Sequence, residues 1–313
     1  MNTLNRRQWL KLTGTAAAGL PLISYAAPDL RARAKKNLKL GVFTGVYAGL
    51  PLEEAARRIA ADGFHGVVLE FGFADVRFDP WAPDWDKARQ ITSTLAKHNL
   101  KIAGLFGYYN VVDPDTARRQ RGEQRMQVLI ENWKQFDCPV ISTETGTLNA
   151  KSEWLESPAN ASEAGYQSCR AALEKLTKAA KKHGAILSIE PYWRNVIDSI
   201  ARADQVLRDV PGLKLVMDPC NYYRKDELSR MDPMLEEMFR LLGKKIVLAH
   251  AKDVKAAAEG TDLPASGQGV LNYPLFLRLL AGLNRELFLI IEHLTLDDVP
   301  RARDYVLSQF DKI

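Results

Sequence analysis

Eight short apolar runs, each followed by a longer amphipathic stretch, limit what this chain can fold into more than any other feature. The runs are residues 38–43, 66–71, 101–108, 139–144, 185–190, 214–218, 246–250 and 287–292. They are continuous and rich in Val, Ile and Leu, the pattern of parallel strands covered on both faces. Helical periodicity fills the intervals, as at 52–61, 85–98 and 171–183. Asp62-Gly63, His98-Asn99 and His183-Gly184 each place a helix C-cap signal just ahead of the next run. Eight β-then-α units predict a closed (β/α)₈ barrel over residues 38–313, a length that such a barrel fills as one domain. An open doubly wound sheet would carry a glycine-rich phosphate turn after its first strand, and Phe43-Thr44-Gly45-Val46-Tyr47 is no such turn.

Residues 1–26 stand apart from this pattern. Asn5-Arg6-Arg7-Gln8-Trp9-Leu10-Lys11 precedes a mildly apolar stretch from Leu12 to Tyr25, and Ser24-Tyr25-Ala26 supplies small residues for cleavage. A basic region, an apolar region and a small-residue site together make a secretory signal. The paired arginines resemble those of a twin-arginine signal. The expectation is export by the twin-arginine machinery to the periplasm, with residues 27–37 as a linker to the barrel.

The formal charge of +5 invites a nucleic-acid reading, which the placement of the charges removes. Residues 1–26 hold Arg6, Arg7 and Lys11 and no acid, and the remainder sets 40 of the 43 basic residues against 38 acidic ones. A near-neutral body lacks the basic surface that phosphate backbones require, so no nucleic-acid partner is expected. Cys138, Cys169 and Cys220 match no zinc spacing and are an odd set, which argues against a disulfide framework.

In a barrel of this kind the active site forms at the C-terminal ends of the strands. Four consecutive runs end there on a metal-competent side chain. Ile186-Leu187-Ser188-Ile189 leads into Glu190, Leu215-Val216-Met217 into Asp218, Ile246-Val247-Leu248-Ala249 into His250, and Leu289-Ile290-Ile291 into Glu292. Three carboxylates converging without a counter-charge repel one another, and a cation resolves the conflict. One divalent ion is therefore expected on Glu190, Asp218, His250 and Glu292. Carboxylate-rich ligation favours Mn²⁺, Mg²⁺ or Co²⁺, with Zn²⁺ less well suited.

Ser188-Ile189-Glu190-Pro191, Val216-Met217-Asp218-Pro219, His250-Ala251-Lys252-Asp253 and Ile290-Ile291-Glu292-His293 resemble the corresponding segments of the xylose isomerase-like barrels. That superfamily includes sugar isomerases, ketose 3-epimerases and inosose dehydratases. The resemblance implies one divalent ion on the four residues above, with Glu190 and Glu292 also moving the substrate's protons as catalytic groups. It implies further substrate contacts at Asn221, Lys252, Asp253 and Gln268, the last in the Gly267-Gln268-Gly269 loop. Glu144, at the end of the fourth run, is a candidate to hydrogen-bond a sugar hydroxyl, and Tyr108, Tyr109, Tyr192 and Trp193 are candidates for an apolar wall. Ketose 3-epimerases carry His where this chain has Asn221 and Arg where it has Ala256, which sets the chain apart from them.

The expected activity is isomerisation or epimerisation of a sugar or keto-sugar by proton transfer through an enediolate. The alternative with the same ligand set is a lyase or dehydratase acting by β-elimination on a keto-glycoside or inosose-like substrate. An apurinic endonuclease-type phosphodiesterase needs several more histidines than the five present. A non-catalytic sugar-binding barrel fits poorly with four intact ligand positions. Homo-oligomerisation is compatible with the sequence. Replacing Arg6 and Arg7 together by Lys should hold the precursor in the cytoplasm, followed by fractionation and immunoblotting; unchanged periplasmic delivery would contradict the signal reading.

Overall fold

A computed structural model describes residues 29–313, and the proposed signal at 1–26 lies outside the described residues. The chain enters through α1 (Leu30–Asn37) and then alternates strand and helix eight times. The strands are β1 (Leu38–Phe43), β2 (Gly66–Leu69), β3 (Lys101–Phe106), β4 (Val140–Glu144), β5 (Ile186–Glu190), β6 (Lys214–Met217), β7 (Ile246–Ala251) and β8 (Leu287–Ile291). The helices that follow them are α2 (Leu52–Ala61), α3 (Trp85–Lys97), α4 (Thr116–Asn132), α5 (Glu163–His183), α6 (Ile200–Asp209), α7 (Met231–Leu242), α8 (Tyr273–Gly282) and α9 (Val299–Gln309). All eight strands are parallel, and β8 closes on β1 from Leu38↔Leu287 to Val42↔Ile291. The expected (β/α)₈ barrel is the observed one. Among the described residues no helix is long and apolar enough to cross a membrane.

Period two along the strands sorts side chains into two cores. On β8, Leu289 and Ile291 face outward into the main core beneath the helices, whereas Ile290 joins Val68, Val216 and Leu248 inside the barrel. Side-chain caps set where helices begin. Asp84 accepts from the backbone N–H groups of Asp86 and Lys87 at the start of α3, and Ser162 caps α5 through Gly165. That serine starts α5 well ahead of the expected residue 171, because Tyr166 and Cys169 extend its buried face by a further two turns.

The segment 27–37 was expected as a linker, yet most of it is α1. Asp29 caps this helix, Ala34 is fully buried, and Lys35 pairs with Asp311 at 2.9 Å near the C-terminus. Its high charge hid it, since only one residue in eight needs to be inside for the helix to pack against α8.

The barrel interior is narrow on the β1–β2 side because Gly41 and Gly66, register partners, leave room for side chains from β8. A Cβ on Gly66 would lie 2.5 Å from the Phe288 ring and 2.7 Å from the Lys101 carbonyl oxygen. Gly66→Ala should therefore destabilise the fold by about 1–3 kcal/mol, the usual cost of forcing extra volume into a packed core. Gly49→Ala, where a Cβ meets nothing within 4 Å, serves as the control in the same chemical denaturation. Equal midpoints for the two variants would contradict the packing argument.

Candidate metal centre

The same two-residue period that fills the barrel also builds its mouth. Val68, Ser142, Ser188, Val216, Leu248 and Ile290 are buried on β2, β4, β5, β6, β7 and β8. Two residues further along each strand, on the same face, stand Glu70, Glu144, Glu190, Asp218, His250 and Glu292. One layer of inward-pointing positions thus holds five carboxyl groups and a histidine. Phe43 and Phe106 complete it from β1 and β3.

Within that layer Glu190, Asp218, His250 and Glu292 come together. Each presents a ligand atom, and these atoms all lie within 4.8 Å of one another. His250 is fully buried and the three acids nearly so. His250 Nδ1 stands 3.3 Å from Glu190 Oε1 and 3.3 Å from Glu292 Oε2. The imidazole packs edge-on with Phe43 at 5.2 Å between centroids, and its Nε2 has no hydrogen-bond partner among the described residues. Asp218 follows β6 and accepts the Cys220 backbone N–H at 3.0 Å, which locks the turn that aims it inward. Asn221 Nδ2 donates to Glu190 Oε1 at 2.8 Å, and the Tyr108 hydroxyl donates to Glu190 Oε2. These two donors hold one ligand from behind.

The electrostatics show that the cluster lacks positive charge. Lys252 Nζ lies 2.6 Å from Asp218 Oδ2 and 2.7 Å from Glu292 Oε1, and stays charged because these acids outweigh its burial. Burial drives the His250 pKa down, but Glu190 and Glu292 raise it further, to about 9. Burial pushes Glu190 and Glu292 up, and the neighbouring cations reverse this and leave both below the usual carboxylate range. Asp218 is still pushed well up, first by burial and then by the two glutamates, in spite of Lys252. In the ligating state, with all three carboxylates ionised and the imidazole neutral, one ammonium leaves two negative charges, which one divalent ion cancels. The donor set of three carboxylates and an imidazole fits such an ion.

A cavity of about 510 Å³ opens over the cluster, lined by Glu190, Glu292, Lys252 and Asn221 among others. Glu144 reaches it too, with a pKa raised to about 8 by burial and by Glu190 beside it. Two expected substrate contacts are placed elsewhere. Asp253 is fully buried and accepts backbone N–H groups from Val254, Gly267 and Leu271, so it organises the loop after β7. Gln268 is exposed on that loop, outside the cavity lining. Of the four aromatic candidates, Tyr108 and Tyr192 line the cavity. Trp193 packs with the Arg194 and Arg224 guanidiniums, 4.6 and 5.0 Å from its ring centroid, and both it and Tyr109 lie outside the lining.

Sequence reasoning missed several groups. Glu70 accepts the Gly45 backbone N–H and lines the cavity with no cation partner among the described residues. The signal for it was its position two residues past Val68. His293, Val46, Trp154, Leu263 and Leu294 also line the cavity. They come from loops, where no periodicity marks them.

An ion on Nδ1 must displace the proton that His250 keeps up to about pH 9. Binding therefore releases that proton, and a second where Asp218 is protonated as well, so affinity rises with pH by about tenfold per unit for each proton lost. Calorimetric titration with Mn²⁺ between pH 6 and pH 8 should show this trend and one ion per chain, with binding abolished in His250→Ala. An affinity independent of pH over that range would contradict the assignment of Nδ1 as ligand.

Comparison with curated protein sequences finds no match. Solved structures share the fold at low identity. A xylose isomerase-like barrel from Mycobacterium smegmatis in complex with magnesium is 16% identical, covers 89% of this chain and 98% of its own, and superposes with a TM-score of 0.63. A 3-keto-D-glucoside 4-epimerase from E. coli is 14% identical, with 88% and 100% covered and a TM-score of 0.65. A probable 3-DHS dehydratase from Bacillus anthracis is 16% identical, with 87% and 97% covered and a TM-score of 0.65. The model of one family, the xylose isomerase-like TIM barrel, matches residues 56–307. With the closed barrel and the acidic cluster at its mouth, that match over most of the sequence means that the chain belongs to the xylose isomerase-like TIM barrel family.

Proposed function

We propose that this protein is a divalent-metal-dependent isomerase or epimerase of a sugar or keto-sugar. The observation that carries the reading is the disposition of Glu190 and Glu292. They come from β5 and β8, with β6 and β7 between them, and each has a carboxylate oxygen 3.3 Å from the same His250 nitrogen. Both line one cavity, so a substrate seated there lies between two carboxyl groups. Bound to the cluster, a divalent ion (Mn²⁺, Mg²⁺ or Co²⁺ by the donor chemistry) would polarise adjacent carbonyl and hydroxyl oxygens of the substrate. Glu190, steadied by Tyr108 and Asn221, is placed to take a proton from the carbon beside the carbonyl. In isomerisation Glu190 returns that proton to the neighbouring carbon; in epimerisation Glu292, entering the step protonated, gives its proton to the opposite face while Glu190 keeps the one it took. Lys252, held between Asp218 and Glu292, keeps the site's charge balanced as the proton moves. The fold shared with a 3-keto-D-glucoside 4-epimerase supports a sugar substrate.

Glu144 favours a second reading, a lyase acting by β-elimination. Its carboxyl, with a pKa near 8, remains protonated at neutral pH within the same cavity and could give its proton to a departing oxygen. The probable dehydratase among the similar structures fits this variant. In either reading, the signal at 1–26 would place the reaction in the periplasm.

Glu190→Gln and Glu292→Gln keep an oxygen donor for the ion and remove the base. Turnover on the substrate should fall by about 10²–10⁴-fold, while at least one variant still binds Mn²⁺. Deuterium exchange in D₂O should separate the group that abstracts from the group that returns the proton. Near-normal turnover in both variants would overturn the proton-transfer roles.

A further inference from the structure

We infer that the cavity takes a sugar bearing an apolar substituent, a glycoside with an aryl or alkyl aglycone, rather than a free or phosphorylated sugar. This rests on the sugar reading above and names its substrate class.

The cavity lining is sorted by depth. Its acidic and basic groups sit at the strand ends or one residue beyond them: Glu70, Glu144, Glu190, Lys252 and Glu292. Further along the loops the lining turns apolar, with Val46 after β1, Trp154 after β4, Leu263 after β7 and Leu294 after β8. Four separate loops thus each give an apolar side chain to the outer part of the cavity. Trp154 is 57% exposed and its neighbour Leu155 is 47% exposed. Large apolar side chains left in solvent at the mouth of a cavity mark a binding surface.

A free sugar carries hydroxyl groups on every side. Its outer hydroxyls would lose water against this apolar lining and gain few partners, which is costly. His293 offers a single acceptor there, Nε2, because its Nδ1 already lies 2.6 Å from the Leu263 carbonyl oxygen. A phosphate fares worse. Among the described residues Lys252 is the single Lys or Arg that lines the cavity, and its ammonium is committed to Asp218 and Glu292. An apolar substituent meets neither penalty. With the sugar ring on the polar floor, beside the stacked Phe106 and Tyr108 rings, its substituent points outward onto Trp154 and Leu294.

Calorimetric titration of the Mn²⁺-loaded protein tests this with methyl β-D-glucoside, phenyl β-D-glucoside, the 3-keto derivatives of both, and glucose 6-phosphate. Within the better-binding pair, the phenyl member should bind about ten- to a hundredfold tighter than the methyl member, the gain from burying one apolar side group. That ratio should shrink to within about threefold in Trp154→Ala, at an exposed position, and in Leu294→Ala, at a half-buried one whose fold is checked by thermal denaturation. Equal affinity of phenyl and methyl members, or glucose 6-phosphate binding tightest, would overturn the aglycone inference and leave the sugar reading intact. A ratio unchanged in both variants would overturn the assigned contacts. Binding of none of the sugars, with Mn²⁺ still bound, would overturn the sugar reading itself and this inference with it.

Discussion

Mutual repulsion among carboxylates that the closed barrel forces together is the constraint on which the rest of this structure depends. Glu190, Asp218 and Glu292 are carried inward on β5, β6 and β8 and cannot separate without opening the barrel. Burial at that depth leaves their carboxyl groups little solvent contact to screen them. Lys252 enters the cluster and His250 takes up a proton, yet Asp218 is still driven towards its neutral form. The arrangement is stable as a set of anions only around a cation. The surrounding groups fit that requirement. Tyr108 and Asn221 fix Glu190, the Cys220 N–H fixes Asp218, and Phe43 packs against the imidazole.

The dryness that makes the charge costly is built one layer below. Val68, Val216, Leu248 and Ile290 fill the interior, and the Ser142 and Ser188 hydroxyls satisfy each other at 2.9 Å. Gly41 and Gly66 give Ile290 and Phe288 the space to fill the β1–β2 side. Above this plug every strand contributes one inward residue to the mouth, so floor and site share a single geometric cause. Changing the chemistry of the site requires no change to the barrel. Sugar-directed isomerisation and elimination on one ligand set are therefore close alternatives on this fold.

Depth also divides the site into an inner ionisable layer and an outer apolar one. The strand-end layer holds the ionisable groups, where backbone hydrogen bonding keeps positions rigid. The loops carry Trp154, Leu263 and Leu294, with longer reach and freer spacing. The loop after β7 shows how such a segment is held. Asp253 gathers three backbone N–H groups, and the short hairpin of Lys255–Ala256 with Thr261–Asp262 closes it.

Much of the barrel and the metal cluster was legible from residue order, because strand periodicity is local. An apolar run ending in Glu190 or His250 reveals both the strand and the face on which its last residue stands. The α1 helix was not legible, since Ala34 alone is buried and its partners on α8 and at Asp311 lie far away in the chain. Asp253 looked like a substrate contact because it follows Lys252, but whether a loop carboxylate turns toward the cavity or back into its own loop depends on which N–H groups surround it. Trp154 and Leu294 gave no signal, for loops have no repeat to read. The amino-acid sequence by itself determined which residues face inward and hence that three acids and a histidine would meet. Tertiary structure alone decided how close they come, that Lys252 joins them, and that distant loops each give the cavity an apolar side chain, because those contacts depend on closure of the ring and on paths that no local rule prescribes.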